Sequence, residues 1–277
     1  MLNNKLIDHL IDLALDEDIQ SGDVTTNSII NDSKNASAFW KVKENGIIAG
    51  LPIAEKVFRK LDSNLIWEPL VEEGTNVNNS DIIVKFSGKF RALLTAERTA
   101  LNFIQRMSGI ATQTNKFVKE IEDYKTVILD TRKTLPGHRI LDKYAVKMGG
   151  GTNHRFGLYD LVMIKDNHIK VAGSITNAVK QVKDKFDSKF QIEVETTSLA
   201  EVEEAINCKV DIIMLDNMNN ELMKESIELI GSKAKTEASG NMTLERLKAV
   251  VELGVDFVSI GMLTHSVKAL DISMYFE

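Results

Sequence analysis

Apolar and polar positions follow two regimes along the chain. Near the N-terminus, Leu6, Ile7, Leu10, Ile11 and Leu13 recur at helical spacing, which predicts an amphipathic helix over 6–18. Short β-rich runs follow at 38–42, 46–50, 65–71 and 82–86, separated by turn-rich stretches such as EGTNVNNS (73–80). A helix is predicted over 51–61, with Pro52 in its first turn. This part reads as a small α+β domain. Its stretch VEEGTNVNNSDIIVKFSG resembles the hairpin half of a lipoyl- or biotin-carrier fold, yet no lysine occupies the hairpin tip, so a carrier role is not expected.

From Thr95, a good N-cap, a long helical stretch is predicted with an interruption around Ser108-Gly109. Strands and helices then alternate. Apolar β-runs at 126–129, 161–164, 190–194, 211–215, 235–238 and 257–260 are separated by amphipathic helices near 140–148, 175–186, 199–206, 221–230 and 244–253. Such alternation predicts parallel βαβ units, arranged as a barrel or as a doubly wound sheet. Charged or small polar groups follow nearly every strand: DTRK (130–133), KDNH (165–168), Glu195, Asp216-Asn217, Ser239-Gly240 and Gly261. Barrel strand ends converge on one face, whereas an open sheet gathers such groups at one or two switch points. The pattern therefore favours a (β/α) barrel, incomplete at about six to seven strands.

Composition narrows the classes. With 277 residues, 43% hydrophobic and 27% charged, the chain has the make-up of a soluble globular protein. No apolar run approaches the roughly 20 residues of a membrane span, and the N-terminal stretch lacks the basic head of a signal peptide. The single cysteine, Cys208, excludes an internal disulfide and reads as a buried structural thiol. A cytoplasmic address follows. The net charge of −6 argues against nucleic-acid binding. Residues 130–168 nonetheless carry seven Lys/Arg against four Asp, or +3, leaving −9 for the remainder. A basic island in an acidic chain suits a small, highly anionic ligand.

On the barrel reading the face divides by sign. One side brings Arg132, Lys133, Arg139, His154, Arg155 and Lys165; the other brings Glu195, Asp216 and the turns at Ser239-Gly240 and Gly261. Clustered cations suit a ligand with several carboxylates or phosphates. The carboxylates suit ribose hydroxyls or magnesium, and the Ser/Gly turns offer backbone N–H groups near helix starts. The face thus fits a polyanionic acid beside a phosphosugar. GGG (149–151) reads as the tight backbone that lets His154 and Arg155 reach the barrel mouth. His9 has no expected role, His138 precedes a helix, and His168 is either adjacent to the site or a helix-start residue. No histidine pair has zinc spacing.

The motifs DTRKTLPG (130–137), GGGTNHR (149–155) and LVMIKDNH (161–168) strongly resemble quinolinate phosphoribosyltransferases. The likeness extends, in collinear order, to DEDIQSGDVTT (16–26), AERTALN (96–102), SGIAT (108–112), EVE (193–195), MLDN (214–217), EASG (237–240) and SIG (259–261) through His265. The resemblance implies an N-terminal α/β sandwich domain over 1–108, joined by the returning tail 267–277, and an incomplete α/β barrel over 109–266. It implies a homodimer, or a higher oligomer, in which Arg98 of one chain completes the other's site. Quinolinate would be held by Arg132, Arg155 and Lys165 with Lys133 and His154. Glu195 and Asp216 would meet the ribose hydroxyls and Mg2+ of phosphoribosyl pyrophosphate, the ion being bound mainly through the pyrophosphate. Ser239, Gly240, Gly261 and His265 would take the 5′-phosphate side. Lys133, Glu195 and Asp216 would be the catalytic groups. Alternatives are a related transferase with another acceptor, such as a molybdate-transport-associated relative or a nicotinate phosphoribosyltransferase, and a non-catalytic phosphosugar-binding module.

Overall fold

The computed structural model describes residues 5–277; residues 1–4, which belong to the stretch read as lacking a signal head and to the expected first domain, lie outside them. The chain forms two compact units. One takes the chain up to Asn115 with Thr134–Gly150 and Leu263–Glu277; the other takes Lys116–Lys133 and Gly151–Met262.

In chain order, the first unit begins with α1 (Lys5–Ile19) and α2 (Val24–Ile29), then β1 (Asn35–Val42), β2 (Gly46–Ile47), α3 (Leu51–Leu61), β3 (Ile66–Pro69), β4 (Asn76–Val77) and β5 (Ile82–Lys89). Strand β12 (Ile272–Phe276), from the C-terminal tail, pairs antiparallel with β1, giving a sheet in the order β12-β1-β5-β3. Alternation along β1 buries Ala38, Trp40 and Val42. Trp40 packs edge-on to Trp67 and Phe86 and tilted on Phe58 of α3. Each such side chain, fully buried, contributes roughly 1.5–3 kcal/mol. Gly50 precedes α3 at φ +111°, and the Glu73 carboxylate accepts both the Gly50 and Leu51 N–H groups at 2.8 Å. An anion at a helix N-terminus is stabilising.

Helix α4 (Phe90–Glu120) differs from the expectation at both points. It starts five residues before Thr95, whose hydroxyl meets Asp23 within the helix instead of capping it. It also runs unbroken through Ser108-Gly109. Ser108 bonds Ala49 N–H and C=O, and a Cβ on Gly109 would lie 2.1 Å from the Lys268 carbonyl. The pair is a close-approach surface, so the glycine's cost to the helix is offset by backbone packing. Helix α5 (Arg139–Met148), expected among the barrel helices, clusters with the first unit, where fully buried Asp142 receives both arms of Arg106 at 2.8 and 3.1 Å.

The second unit is built on β6 (Val127–Leu129), β7 (Val162–Ile164), β8 (Ile192–Thr196), β9 (Ile212–Asp216), β10 (Lys235–Ser239) and β11 (Phe257–Ser259), all parallel. Their order, β6-β11-β10-β9-β8-β7, is cyclic: from β7 to β11 neighbours in sequence are neighbours in space, and the first strand, β6, lies beside the last. That is barrel order, without the reversal of a doubly wound sheet. It stays open between β6 and β7, where only Thr152 bridges to Leu129. Short α6 (Asp166–Ala172) follows β7, and α11 (Met262–His265) follows β11. The longer crossovers are α7 (Ile175–Phe186), α8 (Leu199–Asn207), α9 (Asn220–Ile230) and α10 (Leu244–Val251). Each starts at a side-chain cap: Ser174, Ser198, Asn219 and Thr243 accept the N–H three residues on. Cys208, after α8, is half-buried with Sγ beside Thr176, more open than expected.

Candidate active site

The C-terminal ends of the barrel strands surround a cavity of about 610 Å³, all of it within the second unit. A strand presents alternate residues to one face, so pairs two apart line it: Met163 and Lys165 from β7 and the residue after it, Met214 and Asp216 from β9, Glu237 and Ser239 from β10, with Glu195 from β8. Glu193, two residues before Glu195, is fully buried and does not line the cavity.

The cation wall is organised by Asp130. This buried residue just past β6 accepts the His154 N–H at 2.9 Å and Asn153 Nδ2 at 2.7 Å, which turns the loop so that His154 and Arg155 enter the cavity. Gly150 takes φ +90°, and a Cβ on Gly149 would meet the Ala111 carbonyl at 2.4 Å. Arg155 donates to Leu161 O at 3.2 Å, and burial together with the Arg132 charge presses its pKa down. Arg132 Nε is buried without a hydrogen-bond partner among the described residues. Two crowded guanidiniums, one with an idle buried donor, form a receptor for an anion.

Beneath them lies a cluster that sequence reading missed. His154 Nε2 stands 3.0 Å from Glu193 and 3.4 Å from Glu237, both carboxylates fully buried. Burial alone would lower the imidazole's pKa; the carboxylates outweigh it and raise it from 6.5 to about 10. Nδ1 accepts the Arg155 N–H at 2.7 Å, which favours a neutral ring. That amide bond is worth about 1 kcal/mol, against about 3–5 kcal/mol for a buried charge left unpaired. The carboxylates dominate, so the cluster holds its protons more tightly than a free imidazole would; burial and the neighbouring Glu237 likewise raise the Glu193 pKa. The three groups lie within 4.8 Å of one another, as metal ligands could, yet a protonated Nε2 has no lone pair to give. With two carboxylates to one imidazole, the cluster has no surplus positive charge to lend the arginines; it anchors His154 beneath them.

On the opposite wall, Lys165 Nζ contacts Glu195 Oε2 at 2.5 Å, joining the two signs. Asp216 Oδ2 accepts from Asn217 Nδ2 at 2.7 Å. Gly240 has φ +100°, and Asn217 Oδ1 stands 2.2 Å from where its Cβ would be, so glycine alone fits.

Two family models match the chain: the N-terminal domain of quinolinate phosphoribosyl transferase over residues 23–108 and the C-terminal domain of that enzyme over 110–275. The chain belongs to the quinolinate phosphoribosyltransferase family. It is 45% identical over 272 residues to a probable carboxylating nicotinate-nucleotide pyrophosphorylase of Synechocystis sp., covering 97% of this chain and 92% of that one. It is 43% identical over 273 residues to the Bacillus subtilis protein of the same description, covering 99% and 94%. The crystal structure of NadC from Streptococcus pyogenes superposes with a TM-score of 0.96 at 40% identity, covering 100% of this chain and 99% of that one.

Of the residues proposed from sequence, this member of the family gathers Arg132, Lys133, His154, Arg155, Lys165, Glu195, Asp216, Ser239 and Gly240 around one cavity. Gly261 is half-buried and does not line it. Arg139 does not either: it lies in the first unit and donates to Thr134 Oγ1. The basic island of the sequence is thus divided between the two units, Arg139 and buried Lys143 belonging to the first. Arg98 and His265 also fall in the first unit. Arg98 is exposed and lines a separate cavity with Glu17, Asp18 and Arg106, and His265 is exposed with Nδ1 2.6 Å from Ser266 Oγ. His168 proves to be a helix-start residue, its Nδ1 accepting the Lys165 N–H at 2.9 Å. Asp130, Glu193, Glu237 and Asn217 are the additions. The alternation placing Glu193 and Glu237 two residues before Glu195 and Ser239 was the available signal.

Proposed function

We propose that this chain transfers the phosphoribosyl group of phosphoribosyl pyrophosphate to quinolinate with decarboxylation, giving nicotinate mononucleotide, pyrophosphate and carbon dioxide, as a pentosyltransferase of NAD biosynthesis. The carrying observation is Arg132: a buried guanidinium nitrogen with no acceptor, beside a second guanidinium, is completed by a carboxylate ligand. Two adjacent ring carboxylates would occupy Arg132 and Arg155, with His154, anchored by Glu193 and Glu237, below and Lys133 and Lys165 at the rim.

Clamping both carboxylates fixes the pyridine nitrogen toward the ribose carbon. The nitrogen forms its bond to C1 while the C1–O bond to pyrophosphate breaks and its electrons leave with the pyrophosphate. Glu195 and Asp216 stabilise the positive charge that C1 gathers on the way. The new ring cation then stabilises the electron pair left on the adjacent ring carbon when its carboxylate departs as carbon dioxide, and that pair takes a proton from solvent. Magnesium, held mainly by pyrophosphate oxygens, would neutralise the leaving group. Glu195 and Asp216 supply the one or two carboxylate oxygens that such an ion accepts. Ser239 and Gly240 face the 5′-phosphate, with Gly261 and His265 assigned to the same side by resemblance. Incubated with quinolinate, phosphoribosyl pyrophosphate and magnesium, the chain should form nicotinate mononucleotide, and chelating the metal should abolish turnover; undiminished turnover in chelator would remove magnesium from the account.

The exposed Arg98, outside its own chain's cavity, supports a homodimer in which it reaches the partner's site. Mixing an Arg98→Ala chain with an Arg132→Ala chain should restore about a quarter of wild-type activity, since random pairing leaves one site in four intact. An inactive mixture would contradict sharing. Among the described residues no helix is long and apolar enough to cross a membrane. The lone cysteine supports a cytoplasmic address, which predicts activity in the soluble fraction on cell fractionation.

A further inference from the structure

We infer that Arg246 is a positioning residue that sets the phosphoribosyl half of the cavity by tying two strand-end loops together; this rests on the phosphoribosyl reading above. Arg246 lies in the first turn of α10, where Thr243 caps its N–H at 3.3 Å. A cation there opposes the helix dipole, and its guanidinium is turned to other elements instead. Its two arms reach two different loops: Nη1 donates to Gly240 O after β10 at 2.7 Å, and Nη2 donates to Met218 O after β9 at 2.7 Å.

Those loops carry the groups that face the cavity. Asn217, at φ +53°, donates its N–H to Ser239 O at 3.0 Å and its side-chain amide to Asp216. Gly240 lies against Asn217 with no room for a side chain. The Gly240 and Asn241 amides, both at the cavity, have no hydrogen-bond partner among the described residues. By holding the Gly240 and Met218 carbonyls, Arg246 fixes the turns so that Asp216 and these free N–H groups keep one geometry, suited to a ribose hydroxyl and a phosphate. A planar fork spans two carbonyls; an ammonium on a flexible stem does not hold both in register.

The test is steady-state kinetics of full-length Arg246→Met and Arg246→Lys, with equilibrium binding of quinolinate measured alongside. The expected result is a KM for phosphoribosyl pyrophosphate raised about 10- to 100-fold, quinolinate affinity unchanged, and partial recovery with lysine. Wild-type-like KM values in Arg246→Met, or equal loss of quinolinate and phosphoribosyl pyrophosphate binding in both variants, would overturn the assignment. Failure of the wild-type chain to use phosphoribosyl pyrophosphate would instead refute the underlying reading, and this inference with it.

Discussion

Arg132→Ala should weaken quinolinate binding by about 30- to 1,000-fold while leaving the KM for phosphoribosyl pyrophosphate nearly unchanged. The reasoning is local. Arg132 has a buried Nε without a partner and shares its wall with Arg155, whose charge repels it. A carboxylate placed between them gains charge-assisted hydrogen bonds and relieves that repulsion, so truncating one arginine removes about 2–4 kcal/mol of binding, at about 1.4 kcal/mol per factor of ten. Calorimetric titration with quinolinate measures the loss directly. A monocarboxylate such as nicotinate should lose less, because it has only one group to clamp. Unchanged quinolinate affinity would take Arg132 out of the clamp.

The largest effect on stability should come from His154→Ala. That change leaves Glu193 and Glu237 buried and uncompensated, and breaking such a pair costs about 3–5 kcal/mol, readable in denaturant unfolding. Changing both acids to glutamine in the His154→Ala chain should recover part of the loss, because neutral amides carry no charge to strand. The same cluster sets a pH dependence. The folded-state pKa of His154, about 10, stands above its ordinary 6.5. Its contribution is therefore complete below about 6.5, is drawn on progressively above it, and is lost as pH rises through about 10. Wild-type stability should fall across pH 7–10 relative to the His154→Ala chain. Parallel profiles would mean the imidazole is neutral, with the Arg155 N–H contact at Nδ1 having prevailed.

Most of the barrel could be read in the sequence, because each of its six strands is a short apolar run bounded by an amphipathic helix, and the runs fell on β6–β11 within a few residues. Chemistry at the strand ends was visible for the same reason: a charge directly after an apolar run stands out. What escaped depends on contacts distant in sequence. Glu193 and Glu237 sit inside strands, where the string shows an isolated acid and gives no sign that His154 lies above it. Ser108-Gly109 has a helix breaker's composition, and only the Lys268 backbone lying against it explains why the helix continues. The return of the tail is implied by the resemblance, but its pairing with β1, more than 200 residues away, has no local signal in 272–276. Arg246 lies on one of the expected amphipathic helices, and the two carbonyls it holds belong to other loops.

The proposal that the cavity's cations hold two carboxylates is tested most directly by the choice of acceptor. With phosphoribosyl pyrophosphate and magnesium supplied, the chain should consume quinolinate and release carbon dioxide and nicotinate mononucleotide in equal amounts, with nicotinate a far poorer acceptor. Turnover of nicotinate without turnover of quinolinate, or nucleotide formed without carbon dioxide, would contradict it.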